Sequence, residues 1–253
     1  MEYSSVILFA KLKKKGIILA ASRHNKRAIQ SELGADSHIN PLLTKFNYSL
    51  AGADTPEGVA QEAKMLMDQA GVVGTRKDAV RGIEIIFSLP PLLQIDHAAY
   101  FIDCLEWTRT HFDCPLLSFD CHLDEGAKHA HAIILPLVGG KMNGSRLLCF
   151  GKGFQAHLEN FHVIVGFKYG LKKPTKPLSG VAKINTAKAV FDELLNDPMM
   201  KSKAWFYVRN MITSNPVPFA EVLGIPVATE KLRDFVTIMT SKGKGTSNPN
   251  RQD

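Results

Sequence analysis

An α+β fold on an antiparallel sheet, followed by a small helical region, is what the order of patterns in this 253-residue chain predicts. Three observations carry it. Short apolar runs rich in β-branched residues recur along the first two thirds of the chain. Segments with helical spacing separate several of them. One pair of runs is joined by only four residues, EGAK, which suits antiparallel pairing.

The elements follow in order. SVILFAKL and GIILAAS read as two strands around a KKKG turn, and RHNKRAIQSELGA as a helix that Gly34 ends. HINPLLTKFNYSL reads as a loop broken at Asn40-Pro41. Thr55 caps a helix over TPEGVAQEAKMLMDQAG, with Pro56 in its first turn. RGIEIIFSLP is a strand, and LLQIDHAAYFIDCLEWTRTHF a long amphipathic helix. PLLSFDCHLD and HAHAIILPLV form the strand pair around EGAK. GFQAHLENFHVIVGFKYG is a helix, KPTKP a linker, and helices continue to about Thr240. The tail at 241–253 is polar, rich in Gly, Ser and Asn, and expected to be disordered. The expected division is a domain over 1–178, a helical accessory region over 179–240, and that tail.

Apolar residues make up 45% of the chain, enough for a core, and no run approaches a membrane span. The charges of the N-terminus follow its apolar stretch, the reverse of a signal peptide, so the expectation is a cytoplasmic protein. Cys104, Cys114, Cys121 and Cys149 form no C-x-x-C pair and read as reduced, partly buried thiols. The net charge is +7, gathered in KLKKKG, RHNKR, TRKDAVR and KYGLKKPTKP. Such clusters suit a phosphate backbone, though each alone also fits a solvated face.

The densest chemistry lies in CHLDEGAKHAHAIILP, residues 121–136. His129 and His131 are two apart on a strand, so both leave one face. His122, on the partner strand, can come opposite them. Three imidazoles from two strands leave coordination positions open for water or phosphate oxygens, an arrangement for Lewis-acid chemistry rather than a closed structural site. A lone histidine would read as a hydrogen-bonded core residue. Spacing by itself does not name a reaction.

Here the sequence resembles the Mob/Pre (MobV-type) plasmid mobilization relaxases, within the HUH endonucleases. Their motif H-x-D-E-x-x-P-H-x-H is matched by His122, Asp124, Glu125, His129 and His131, with Lys128 where proline is usual. RHNKR resembles the family's H-N-x-R motif, giving His24 and Arg27. FNYSL resembles N-Y-D/E-L, giving Asn47 and Tyr48, with Ser49 where an acid is usual. The resemblance covers roughly residues 5–175, with three motifs in order.

What it implies is an HUH-type antiparallel palm and an enzyme that nicks one DNA strand at an origin of transfer. Such an enzyme keeps the 5′ phosphate covalently attached and then reseals the strand. The implied nucleophile is His24, with Tyr48 as the alternative nucleophile or a base-stacking residue. His122, His129 and His131 would hold a divalent metal, with Mn²⁺ as the choice and Mg²⁺ or Zn²⁺ as alternatives. Glu125 would orient His24 or accept a proton, and Arg27 would bind phosphate or position the nucleophile. The implied partners are origin DNA, as a hairpin plus single strand, and a conjugative coupling protein. Arg76, Lys77, Arg81, Lys152, Lys172 and Lys173 are the candidates for DNA phosphate contacts, and the GKG before Phe154 could offer amides to a phosphate. Competing readings are an HUH replication initiator nicking with Tyr48, a DNA-binding autoregulator with a vestigial site, and a zinc hydrolase unrelated to DNA.

Overall fold

The computed structural model describes residues 4, 6–34, 38–74, 76–148, 152–173 and 178–227. The chain divides into two units, Met1–Pro174 and Thr175–Asp253. The first begins with β1 (Val6–Lys13), α1 (Ile17–Asn25) and α2 (Ala28–Leu33). It continues through β2 (Tyr48–Gly52), α3 (Pro56–Gln69), β3 (Val80–Ser88), α4 (His97–His111), β4 (Leu116–His122) and β5 (His129–Ile134). A two-stranded ribbon of β6 (Leu137–Val138) and β7 (Lys141–Met142) leads to α5 (Gly144–Leu147) and α6 (Lys152–Ile164).

The α+β expectation holds. Five strands form one antiparallel sheet in the order β1-β3-β5-β4-β2. Helices cover both faces. On one face Phe101, Cys104 and Trp107 of α4 and Phe161 of α6 pack on Ile83, Ile85, Phe87, Phe119 and Cys121. On the other, Ile18 of α1 and Val59 and Ala63 of α3 pack on Leu12, Leu117 and Ile133. β2 closes tightly on β4: Gly52 has φ 91°, and a Cβ there would lie 2.1 Å from the Leu117 carbonyl oxygen.

Three readings change. GIILAAS is not a second strand but the body of α1. Gly16, at φ 77°, turns the chain into it, and Ile18, Ser22 and Asn25 are buried at helical spacing, which β-branching alone did not reveal. The expected helix over 23–35 is two helices, broken at Arg27, whose φ is 58°. The loop expected over 38–50 ends at Asn47, because Tyr48 already pairs with Cys121 in β2. The Thr55 cap stands as expected, its side chain accepting from the Gly58 amide at 3.1 Å.

The second unit contains α7 (Gly180–Glu193), α8 (Trp205–Ser214) and α9 (Val217–Val222) around Val190, Ile212 and Ala220. The helix expected beyond 227, the tail at 241–253, and Cys149 lie outside the described residues. Cys104, Cys114 and Cys121 are free thiols. Among the described residues no helix is long and apolar enough to cross a membrane.

Candidate active site and metal centre

The register of β4 against β5 builds the site. His122 lies directly opposite His129, and Asp120 opposite His131. Opposed residues share a face, so the three histidines meet on the α1 side of the sheet. Their ring centroids lie 4.8 to 5.0 Å apart.

Each ring has one nitrogen committed outward. His122 Nε2 donates to the Asn25 carbonyl at 2.6 Å, and His129 Nδ1 to the Ala127 carbonyl at 2.9 Å. His131 Nδ1 donates to Glu84 Oε1 at 2.9 Å. The remaining nitrogens, His122 Nδ1, His129 Nε2 and His131 Nε2, turn inward. His122 Nδ1 and His129 Nε2 are 3.2 Å apart, and His131 Nε2 is buried with no partner. With the outer protons spent, two inward lone pairs face each other. A shared proton or a cation relieves that, and ligating nitrogens all lie within 4.8 Å of one another. Burial, reinforced by His131, pushes His122 down to about 2, and burial lowers His129 too, so both imidazoles stay neutral as metal ligation requires. The residues present therefore fit a divalent metal.

His24 comes from the last turn of α1, its ring 5.8 Å from that of His131. Burial lowers its pKa, and His131 and Arg27 add to the effect, so it too is neutral near pH 7. Glu125 sits 3.8 Å from His129 Nε2 and accepts from Arg27 at 2.7 Å.

Arg27 is aimed by its left-handed backbone at the motif turn. It donates to both oxygens of Asp124, at 3.0 and 2.6 Å. Asp124 also accepts from Thr44 at 2.9 Å and Asn47 at 2.8 Å, and Asn47 accepts from the Leu123 amide at 2.7 Å. Although burial opposes it, these donors hold the Asp124 carboxyl at about 2. Arg27 is thus a buried clamp joining three motifs, with only Nη1 left without a partner.

Tyr48 is not brought to the cluster. It is paired with Cys121 rather than with His122, and packs against the core on the opposite face. Burial first, then Cys121, raises its pKa. Ser49, where the resembled motif carries an acid, faces a carboxylate on the next strand. Ser49 donates to Asp120 Oδ1 at 2.5 Å, and Lys26 forms a buried ion pair with Asp120 at 2.8 Å.

Glu84 and Asp120 escaped the sequence reading. Each is a single carboxylate inside an apolar strand, in GIEIIF and LSFDCH, and that isolation at a period-2 position was the available signal. Glu84 also accepts from Asn25 at 3.1 Å. Against its burial, hydrogen bonds from His131 and Asn25 lower its pKa.

The basic candidates are peripheral by comparison. Arg76 and Lys77 are exposed, and Arg76 lies 3.7 Å from Asp78. Arg81 is partly buried on β3, and Lys173 pairs with Glu159 at 2.6 Å. Lys172 is exposed and bridges to Ser4 through its backbone. Lys152 opens α6, while part of the GKG segment lies outside the described residues.

No protein-family model and no curated protein matches the chain. Solved structures do. One is the MobM relaxase domain (MOBV; Mob_Pre) bound to 22 nucleotides of plasmid pMV158 oriT DNA, an Mn-bound crystal structure at pH 5.5. It is 21% identical over 73% of this chain and 99% of that one, with a TM-score of 0.60. A second, Mn-bound at pH 6.8 with a 3′ thiophosphate on the DNA, gives 21% identity, 73% and 98% coverage and a TM-score of 0.61. A third, bound to 26 nucleotides, gives 19%, 71% and 98%, and 0.53. This chain shares the fold of that domain.

Proposed function

We propose that this chain is a metal-assisted DNA relaxase of the Mob/Pre type, acting on a plasmid origin of transfer. The observation that carries the reading is the convergence of three inward nitrogens with a neutral His24 beside them. The fold shared with the MobM domain, which is bound to oriT DNA and Mn in its own structures, supports it.

His122, His129 and His131 would hold the metal, taken as Mn²⁺. When bound there, it supplies Lewis-acid polarisation of a phosphoryl oxygen. The chain's own residues do the rest. A neutral His24 presents a ring lone pair to phosphorus. The P–N bond forms as the bond to the 3′ oxygen breaks. The proton surrendered by the imidazole passes to the released 3′ oxygen, with Glu125 or Glu84 as the nearby carboxylates to relay it. The 5′ phosphate stays on His24, and attack by the 3′ hydroxyl reverses each step. Arg27 acts by fixing Asp124 and Glu125. Tyr48, on the far face, takes no part. The basic segments at Arg76, Lys77, Arg81, Lys152, Lys172 and Lys173 would follow the DNA backbone.

The test is supercoiled plasmid carrying its own origin, incubated with Mn²⁺ or with EDTA. Metal-dependent open circles with protein on the 5′ end are expected, lost in His24→Ala and kept in Tyr48→Phe. Nicking by His24→Ala with none by Tyr48→Phe would move the nucleophile to the tyrosine. Absence of any nicking on origin DNA would favour a DNA-binding autoregulator.

A further inference from the structure

Lys128, standing where the motif has proline, faces a cavity that nicking chemistry leaves unused. The connection from β3 to α4 and the turn from β4 to β5 enclose about 130 Å³ between them. Leu89, Pro90, Leu93, Ile95 and Leu123 supply apolar lining, and Lys128 lies at the edge. The Leu89 amide donates to the Lys128 carbonyl at 2.9 Å, tying the two segments together. Glu125 lines the cavity and is also 3.8 Å from His129 Nε2, so the space adjoins the metal cluster.

The Lys128 side chain is exposed and donates to His97 Nδ1 at 3.3 Å. An ammonium has three protons, and His97 takes one. Among the described residues no carboxylate is within ion-pair range of Lys128. The cation is held at the rim without being neutralised. A proline there would offer neither charge nor donor. A slot whose aliphatic walls at Leu89, Leu93, Ile95 and Leu123 are interrupted by Gln94, His97 and Glu125, with a cation at its rim, offers both surface and polar groups to a base and an anchor to its phosphate.

We infer that this cavity is a subsite for one nucleotide of single-stranded DNA flanking the reacting phosphate, its base against Leu93 and Leu123 and its phosphate on Lys128. The inference rests on the relaxase reading for the identity of the strand, but its test does not need cleavage. Methyl NMR of the full chain in EDTA would follow Leu93, Ile95 and Leu123 on adding the dinucleotide pdTpdT or an analogue with abasic sugars. The expected result is a shift of these methyls with pdTpdT and none with the abasic analogue. Leu93→Trp should abolish the shift by filling the slot. Lys128→Ala, on the exposed rim where folding is not at stake, should raise Kd roughly tenfold, the loss of one charge-assisted hydrogen bond. Equal shifts with the abasic analogue, or unchanged affinity in both variants, would overturn the subsite. Plasmid nicking measured alongside separates the two readings. Nicking without methyl shifts sinks the subsite alone. Methyl shifts without nicking sink the relaxase alone.

Discussion

The two faces of β4 and β5 are equally buried and chemically opposite. Phe119, Cys121, Ala130 and Ala132 are fully buried among aromatics and aliphatics. Asp120, His122 and His131, one residue out of step with them, are 2%, 1% and 5% exposed. Burial therefore does not separate core from site. What separates them is partnership. On the core face, burial pushes the Cys121 thiol up to about 12 and raises Tyr48, leaving both protonated and inert. On the site face the same desolvation keeps imidazoles neutral, and each spends one nitrogen on a fixed acceptor. A one-residue slip of register would exchange the faces and destroy both.

Breaking the site face gives the largest effect. His129→Ala with His131→Ala removes two of three inward nitrogens, so Mn²⁺ binding by calorimetry and plasmid nicking should both vanish. Persistent metal binding would place the site elsewhere. Next is Asp124→Ala, which leaves the buried Arg27 with Glu125 as its one remaining carboxylate partner, also frees Thr44 and Asn47, and should cost about 3 kcal/mol in urea unfolding. The same carboxylate gives a pH signature. Its folded pKa, near 2, lies below the ordinary carboxylate range, so its stabilisation is complete above about pH 4 and is lost as pH falls toward 2. Asp124→Asn should flatten that part of the stability profile, and an unchanged profile would show that another group governs acid unfolding.

Glu84→Gln comes third. It keeps the shape but loses the charge that orients His131, so metal affinity should fall roughly 10- to 100-fold with the fold intact. The smallest effect belongs to the core face. Tyr48→Phe removes a buried hydroxyl that has no hydrogen-bond partner, so stability should change by less than about 1 kcal/mol and Mn²⁺ affinity not at all. A large loss of metal affinity there would mean the faces are coupled more closely than their packing indicates.

Much of this was legible from residues alone. Apolar runs marked β3, β4 and β5, and the two-residue spacing of His129 and His131 set them on one face from sequence alone. The Thr55 cap was legible because capping is local chemistry. GIILAAS was misread because five apolar residues in a row fit strand or helix, and only packing against α3 and β1 decided for the helix. Glu84 and Asp120 were invisible as partners. Their roles depend on which strands become neighbours, and β3 meets β5 only after α4 and β4 have intervened.

The sequence by itself determined which residue types were available and which of them share a strand face, because side-chain alternation is a property of the extended backbone. Tertiary structure alone decided the outer partners of the three imidazoles, the burial of Arg27 on Asp124, the pairing of Ser49 with Asp120, and the placing of Tyr48 on the far face. Those depend on strand order and register, which are fixed by the packing of residues far apart in the chain.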